Sequence, residues 1–223
     1  MRARALRRCL LLGAVAALAS TTAVEAAGPQ TSEVRVEARV APGAEPSARR
    51  PRPVTLDVGL RWELPRDEEG VTLQRLVMRF PRGAVYNGGR TPACAAERIA
   101  RSGPSACPKG SIVGRGSAKA DADLTPTRPG ITVVNGGPRR VWFHVTMTNP
   151  ASIAVAVPGR IRRIGGRWSY ELTVDIPGTL QVVAGIPVYL REMTVTAGRR
   201  DWIAVTRQPT AIAVTTTLGP PRP

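Results

Sequence analysis

The residues of this chain with the chemistry for catalysis or ligation are few. His144 is the only histidine, so every imidazole acid, base or triad would have to use it. Ser152 or Ser169 and Asp175 are its conceivable partners, but no G-x-S-x-G elbow is present, and a serine within a strand is not a strained nucleophile. His144 therefore reads as a surface or interface residue. Lys109 and Ser111 have the composition of a Ser/Lys dyad, which requires a desolvated, neutral amine beside the hydroxyl. The Pro-Gly turn that holds them leaves the lysine in water instead. Gly110, Gly114 and Gly116 lack the Gly-Lys-Ser/Thr ending of a phosphate loop. Residues 113–118 read as a strand whose small side chains permit close backbone approach. Asp121 and Asp123 lack calcium-loop spacing, and no carboxylate pair of glycosidase type stands out. No residue of this sequence is expected to be catalytic, and no cofactor or metal is expected.

Two cysteines remain after the N-terminal segment, Cys94 and Cys107. Pairing them closes a loop of about a dozen residues and stabilises by ~3 kcal/mol in the chain-entropy account. A redox role requires a closer C-x-x-C pair, and two thiols with one imidazole do not complete a zinc site without distant carboxylates. A structural disulfide is expected. The candidate binding residues are Trp142, His144, Arg160, Arg162, Arg163 and Arg167. A hairpin this basic suits anionic wall polymer, lipid headgroups or nucleic acid. Only Lys109 and Lys119 are lysines, a skew that GC-rich coding produces by itself, so a solvated arginine surface is the competing reading. Trp62, Trp168 and Trp202 are expected in the core, whereas Trp142 shares the polar parity of His144 and is expected on an exposed platform suited to sugar stacking.

These residues sit on a chain of 223 residues with 32 basic and 16 acidic groups, a formal charge of +16, 43% hydrophobic and 4% aromatic content. The 22 glycines and 21 prolines argue against a helical bundle, and the apolar content argues against disorder. Residues 1–26 begin with Arg2, Arg4, Arg7 and Arg8, continue through an apolar run at 9–19 and end in small residues, the three-part layout of a secretory signal cleaved after Ala26. The run is shorter than the ~20 residues that span a bilayer. Removing this segment leaves a net charge of +13. Residues 27–53 are expected to be a strand at 34–40, loosely attached through a Pro/Arg-rich linker at 41–53. Residues 54–223 are expected to form one domain.

Period-two alternation organises that domain. Val54, Leu56, Val58, Leu60 and Trp62 point one way, which favours an antiparallel sheet with one wet face. Across 71–80 the apolar parity switches at Gln74 and Arg75, which predicts a β-bulge there. Val141, Phe143, Val145 and Met147 share a face, as do Trp168, Tyr170, Leu172, Val174 and Ile176. Residues 152–157 read as a more buried strand, and Gly165-Gly166 as a two-residue hairpin loop. Further strands are expected at 188–195, 202–205 and 211–217. One helix is expected at 93–101, capped by Thr91, with Pro92 at its first position and Gly103 at its end. The fold class is all-β, an antiparallel sandwich of about ten strands with one short helix near the disulfide.

Around the two cysteines the chain resembles secreted proteins of unknown function from high-GC Gram-positive bacteria. The resemblance rests on Phe80, Pro81, Gly83, Asn87 and Cys94, and on the run from Cys107 and Pro108 through Gly110, Ser111, Ile112 and Val113 to Gly114 and Gly116. It covers about 40 residues and implies fold and export, not an activity; where such proteins carry another Cys-Pro near the C-terminus, Gln208 precedes Pro209 here. The functional expectation is a secreted, non-enzymatic structural or interaction module at the cell envelope, with wall polymer or another envelope protein as partner. A binder of wall glycan or anionic polymer through the Arg160–Arg167 hairpin is the alternative, and a hydrolase with a carboxylate site is the third reading. Export ranks nucleic acid last.

Overall fold

The structure, a computed structural model, describes residues 33–62, 72–209 and 211–222. The export signal expected at 1–26 lies outside the described residues. Fourteen strands follow one another as β1 (Glu33–Val40), β2 (Arg52–Arg61), β3 (Thr72–Pro81), β4 (Ala84–Tyr86), β5 (Ile112–Ala122), β6 (Thr125–Thr127) and β7 (Gly130–Asn135). They continue as β8 (Arg140–Met147), β9 (Ile153–Arg163), β10 (Trp168–Asp175), β11 (Val182–Val183), β12 (Ile186–Ala197), β13 (Ile203–Val205) and β14 (Ala213–Gly219). Two short helices, α1 (Ala96–Ser102) and α2 (Gly178–Gln181), interrupt them. The all-β, antiparallel expectation holds. Among the described residues the strands number fourteen rather than about ten and belong to one continuous sheet that does not close. The strands that were not expected are β4, β6 and β11, each two or three residues long and too short to display a period of two, and the six-residue β7.

The order across the sheet is β14-β3-β10-β9-β8-β7-β5-β12-β2-β13-β4, with β1 on β2, β6 on β5 and β11 on β12. Although β10 and β4 are far apart in this order, Tyr86 of β4 meets Tyr170 of β10 with ring centroids 6.3 Å apart. The sheet therefore coils back on itself, and its inner face encloses one core drawn from β2, β3, β5, β7 to β10, β12 and β13. The alternation in β2 sets its register. Val54, Leu56, Val58, Leu60 and Trp62 are all buried, and burying each such side chain contributes about 1.5–3 kcal/mol. A one-residue slip would turn all five outward.

Several local expectations meet their reasons here. The ladder between β3 and β14 passes from Arg75 to Leu73 while β14 advances by one residue, so Gln74 is the inserted residue of the expected bulge. β5 is close to β12 because Gly114 and Gly116 have no side chain: a Cβ on Gly116 would lie 2.3 Å from the Thr194 carbonyl. The hairpin between β9 and β10 forms, but its loop is four residues, and only Gly166 of the Gly-Gly pair takes a positive φ, 71°. Residues 152–157 are not a deeply buried strand. They open the eleven-residue β9, and Ala154 is exposed. β1 is not loosely attached, since it pairs with β2 along its whole length, from Glu33 opposite Arg61 to Val40 opposite Val54.

Candidate functional site: a basic rim at one end of the sheet

The Cys94–Cys107 disulfide forms, with its Cα atoms 5.4 Å apart. It carries α1 onto the outer side of β7 to β9, where Cys94, Ile99, Val134 and Trp142 make a separate small core. This overturns the expected exposed platform. Trp142 does lie on the face opposite Val141 and Val145, but the clipped segment covers that face. Its indole is buried and donates to the Cys94 carbonyl at 3.1 Å. His144, on the same face opposite Thr132 and Ala156, is also buried, and burial holds its pKa below the ordinary histidine value. Period two told which side these residues take; it carried no information about what covers that side.

Helix α1 begins at Ala96, with Ala95 rather than Thr91 as its cap, and ends as expected at Gly103, φ 68°. The start is displaced because Asn135 holds the preceding backbone. Its side-chain amide donates to the carbonyls of Gly88 and Thr91, both at 2.9 Å, and its main-chain carbonyl accepts from the Cys94 N–H at 2.9 Å. Its Oδ1 accepts from the Trp202 indole and the Tyr86 hydroxyl, each at 3.1 Å. An indole N–H only donates, which fixes the orientation of the amide. Asn135 is fully buried at the end of the inward row Ile131, Val133, Asn135, and it ties the disulfide segment to the core. Burial raises the Tyr86 phenol pKa, partly opposed by its contact with Trp202, so Tyr86 remains a proton donor, within 2.8 Å of the Gly137 carbonyl.

Beyond Asn135 lies the end of the sheet where the predicted hairpin turns. The four candidate arginines do not act as one group. Arg160 and Arg162 lie on the outer face and are paired. Arg160 meets Asp175, which also binds Arg75. Arg162 meets Glu171 at 2.6 Å, and Arg79 binds the other oxygen at 2.8 Å. Glu171 is only 5% exposed between the two guanidiniums. The hydrogen bond from Arg79, opposed by burial and aided by Arg162, holds its pKa below the usual carboxylate value.

Arg163 and Arg167 are at the tip, where each guanidinium stacks on a ring: Arg163 over Tyr170 at 5.7 Å and Arg167 over Trp168 at 4.9 Å. Arg140 lies over Trp142 in the same way at 5.2 Å. Arg82 joins them, its N–H donating to the Arg167 carbonyl at 2.9 Å. Arg139 follows the β7–β8 turn and its carbonyl accepts from Ile161, while Arg207 lies across Gly83. All six side chains are exposed, and no ion pair joins any of them to a carboxylate among the described residues. Stacking on an aromatic face contributes about 0.5–1 kcal/mol at exposed sites. It fixes the guanidinium plane while the in-plane N–H donors stay available, the geometry that phosphate oxygens accept.

The remaining candidates are structural. Ser111 is buried and donates to the Pro108 carbonyl at 2.7 Å, while Lys109 is exposed, so this segment is the expected turn. Asp121 pairs with Arg191 at 2.6 Å. Trp62 and Trp202 are core residues. The rim residues Arg82 and Arg207 and the hub residues Asn135 and Tyr86 escaped the sequence reading. Only Asn135 carried a signal, as a polar residue on the inward parity of β7. No family model, curated protein or solved structure matches this chain.

Proposed function

We propose that this protein is an exported, non-enzymatic interaction module of the cell envelope, and that its basic rim binds an anionic wall polymer. The observation that carries this reading is the division among the arginines. Arg75, Arg79, Arg160 and Arg162 on the sheet face are matched by Glu171 and Asp175, whereas six at the strand ends have no acidic partner among the described residues and three of these are held against aromatic rings. Unmatched, oriented guanidiniums on a rigid edge concentrate polyanions. The disulfide supports an oxidising compartment, and the leader-like segment at 1–26 and the resemblance to secreted proteins support export. We read the coiled sheet as the two layers of a sandwich whose end presents the rim. The buried Trp142 favours the polymer's charge over sugar stacking as the basis of recognition.

The test is co-sedimentation of the mature chain with purified wall material, with and without its phosphate polymer. Arg163→Ser combined with Arg167→Ser is expected to lower the bound fraction at least several-fold, and removal of the polymer to do the same. Added salt should weaken binding by screening these exposed charges. Retention that ignores both the substitutions and the phosphate would overturn the proposal. For export, protein collected from the culture medium should begin at Ala27 with both cysteines oxidised.

A further inference from the structure

The opposite end of the strands holds a second feature, unrelated to the rim. On β5 the inward positions Ala118 and Ala120 face Met193 and Leu190 of β12 across the ladder. The short side chains leave space that the neighbouring residues do not fill, a cavity of about 110 Å³ bounded also by Leu73, Ile131, Met147 and Leu180. Its polar side chains, Thr72 and Gln181, bond to each other at 2.8 Å, and the Gln181 amide donates to the Ile176 carbonyl at 2.9 Å. Their hydrogen-bonding capacity is turned away from the space, so water entering it would find few partners; apolar cavities of roughly 150 Å³ stay dry and take a six-carbon ring. Leu180, Leu190 and Met193 keep accessible surface, so the cavity is not fully sealed.

A recess of about 570 Å³ shares Ile176 and Gln181 with this cavity and is lined by Gln74, Arg75, Asp175 and Arg222. Asp175 is shared by Arg75 and Arg160, so it does not offset the exposed Arg222, which has no ion pair among the described residues and adds positive charge to the recess. An apolar space beside a basic recess matches a molecule with one apolar and one anionic end.

We infer that this cavity binds the alkyl end of an anionic amphiphile, whose head group lies in the recess beside Arg222.

The test uses the mature chain with 13C-labelled methionine methyl groups, octanoate as the charged probe and 1-octanol as its uncharged counterpart. Met147 and Met193 line the cavity, while Met78 sits in the main core and serves as the internal control. Octanoate is expected to shift the Met147 and Met193 signals and leave Met78 in place. Arg222→Ser should weaken octanoate several-fold and leave octanol within about twofold, while Ala120→Leu, which fills the space, should abolish both responses. Ala118→Val substitutes if that variant loses the native Met78 signal. The inference is overturned if neither probe moves Met147 and Met193 up to its solubility limit, or if a folded filled variant binds both as before. Equal affinities for both probes, indifferent to Arg222, would overturn the head-group assignment.

Discussion

Replacing Asn135 by alanine puts the packing argument to its hardest test. The substitution removes an acceptor from the Trp202 indole and donors from the Gly88 and Thr91 carbonyls. Trp202 and Asn135 are both buried, so water does not readily replace what is lost. An orphaned buried polar group costs about 1–3 kcal/mol, and with two or three such groups sharing one site the expected loss is about 3–5 kcal/mol. This is a large part of the ~5–15 kcal/mol that keeps a typical domain folded. In a urea titration followed by tryptophan emission, with a slope of about 2–3 kcal/mol per molar, the midpoint should fall by about 1–2.5 M. Asn135→Asp keeps the shape and the acceptor but sets a second oxygen against two carbonyls at 2.9 Å, so it should cost at least as much as alanine. Because the Asn135 side chain holds the Gly88 and Thr91 carbonyls on the segment that leads into Cys94, Asn135→Ala and loss of the disulfide should be non-additive by at least about 0.5 kcal/mol. A loss below about 1 kcal/mol for alanine, or a milder aspartate, would refute the reasoning that Asn135 ties the clipped segment to the core.

Other perturbations follow from the same geometry. Gly116→Ala puts a methyl group 2.3 Å from the Thr194 carbonyl and should cost about 1–3 kcal/mol; Gly165→Ala, with open space around it, should leave stability unchanged or raise it by less than about 1 kcal/mol, both read from thermal melts. Cys94→Ser with Cys107→Ser should lower stability by about 3 kcal/mol and speed tryptic cleavage at Arg98 and Arg101, and unchanged melts with unchanged cleavage would contradict the clip. Acid should destabilise in two steps, because both His144 and Glu171 have folded pKa values below their unfolded ones, and stability is lost as pH falls from the unfolded value through the folded one. For His144 that loss begins as pH falls through about 6.5, and for Glu171 as it falls through about 4.5; midpoints across this range should lose the first step in His144→Leu and the second in Glu171→Gln.

The sequence by itself determined what local chemistry controls. Alternation chose the side the residues of β2, β8 and, from Tyr170 onward, β10 take, because a one-residue slip exposes every apolar side chain at once; the register shift before Tyr170 takes Trp168 out of that row. The parity switch located the bulge at Gln74, since one inserted residue reverses the pleat. Gly103 marked the end of α1, and the small residues of 113–118 marked a close backbone approach. What lies against each face was decided only by the tertiary structure. Trp142 and His144 sit on the predicted side, yet both are buried, Trp142 because a disulfide brings residues 94–107 over it from elsewhere in the chain. Arg160 and Arg162 look like Arg163 and Arg167 in the sequence, but β10 places Glu171 and Asp175 beside the first two and rings beneath the second. The basic rim and the apolar cavity depend in the same way on long-range register, which sets Arg82 against Arg167 and alanines against Met193 and Leu190. Charge and apolar pattern are properties of a segment, whereas neutralisation, burial and empty space belong to pairs of segments that only the coiled sheet brings together.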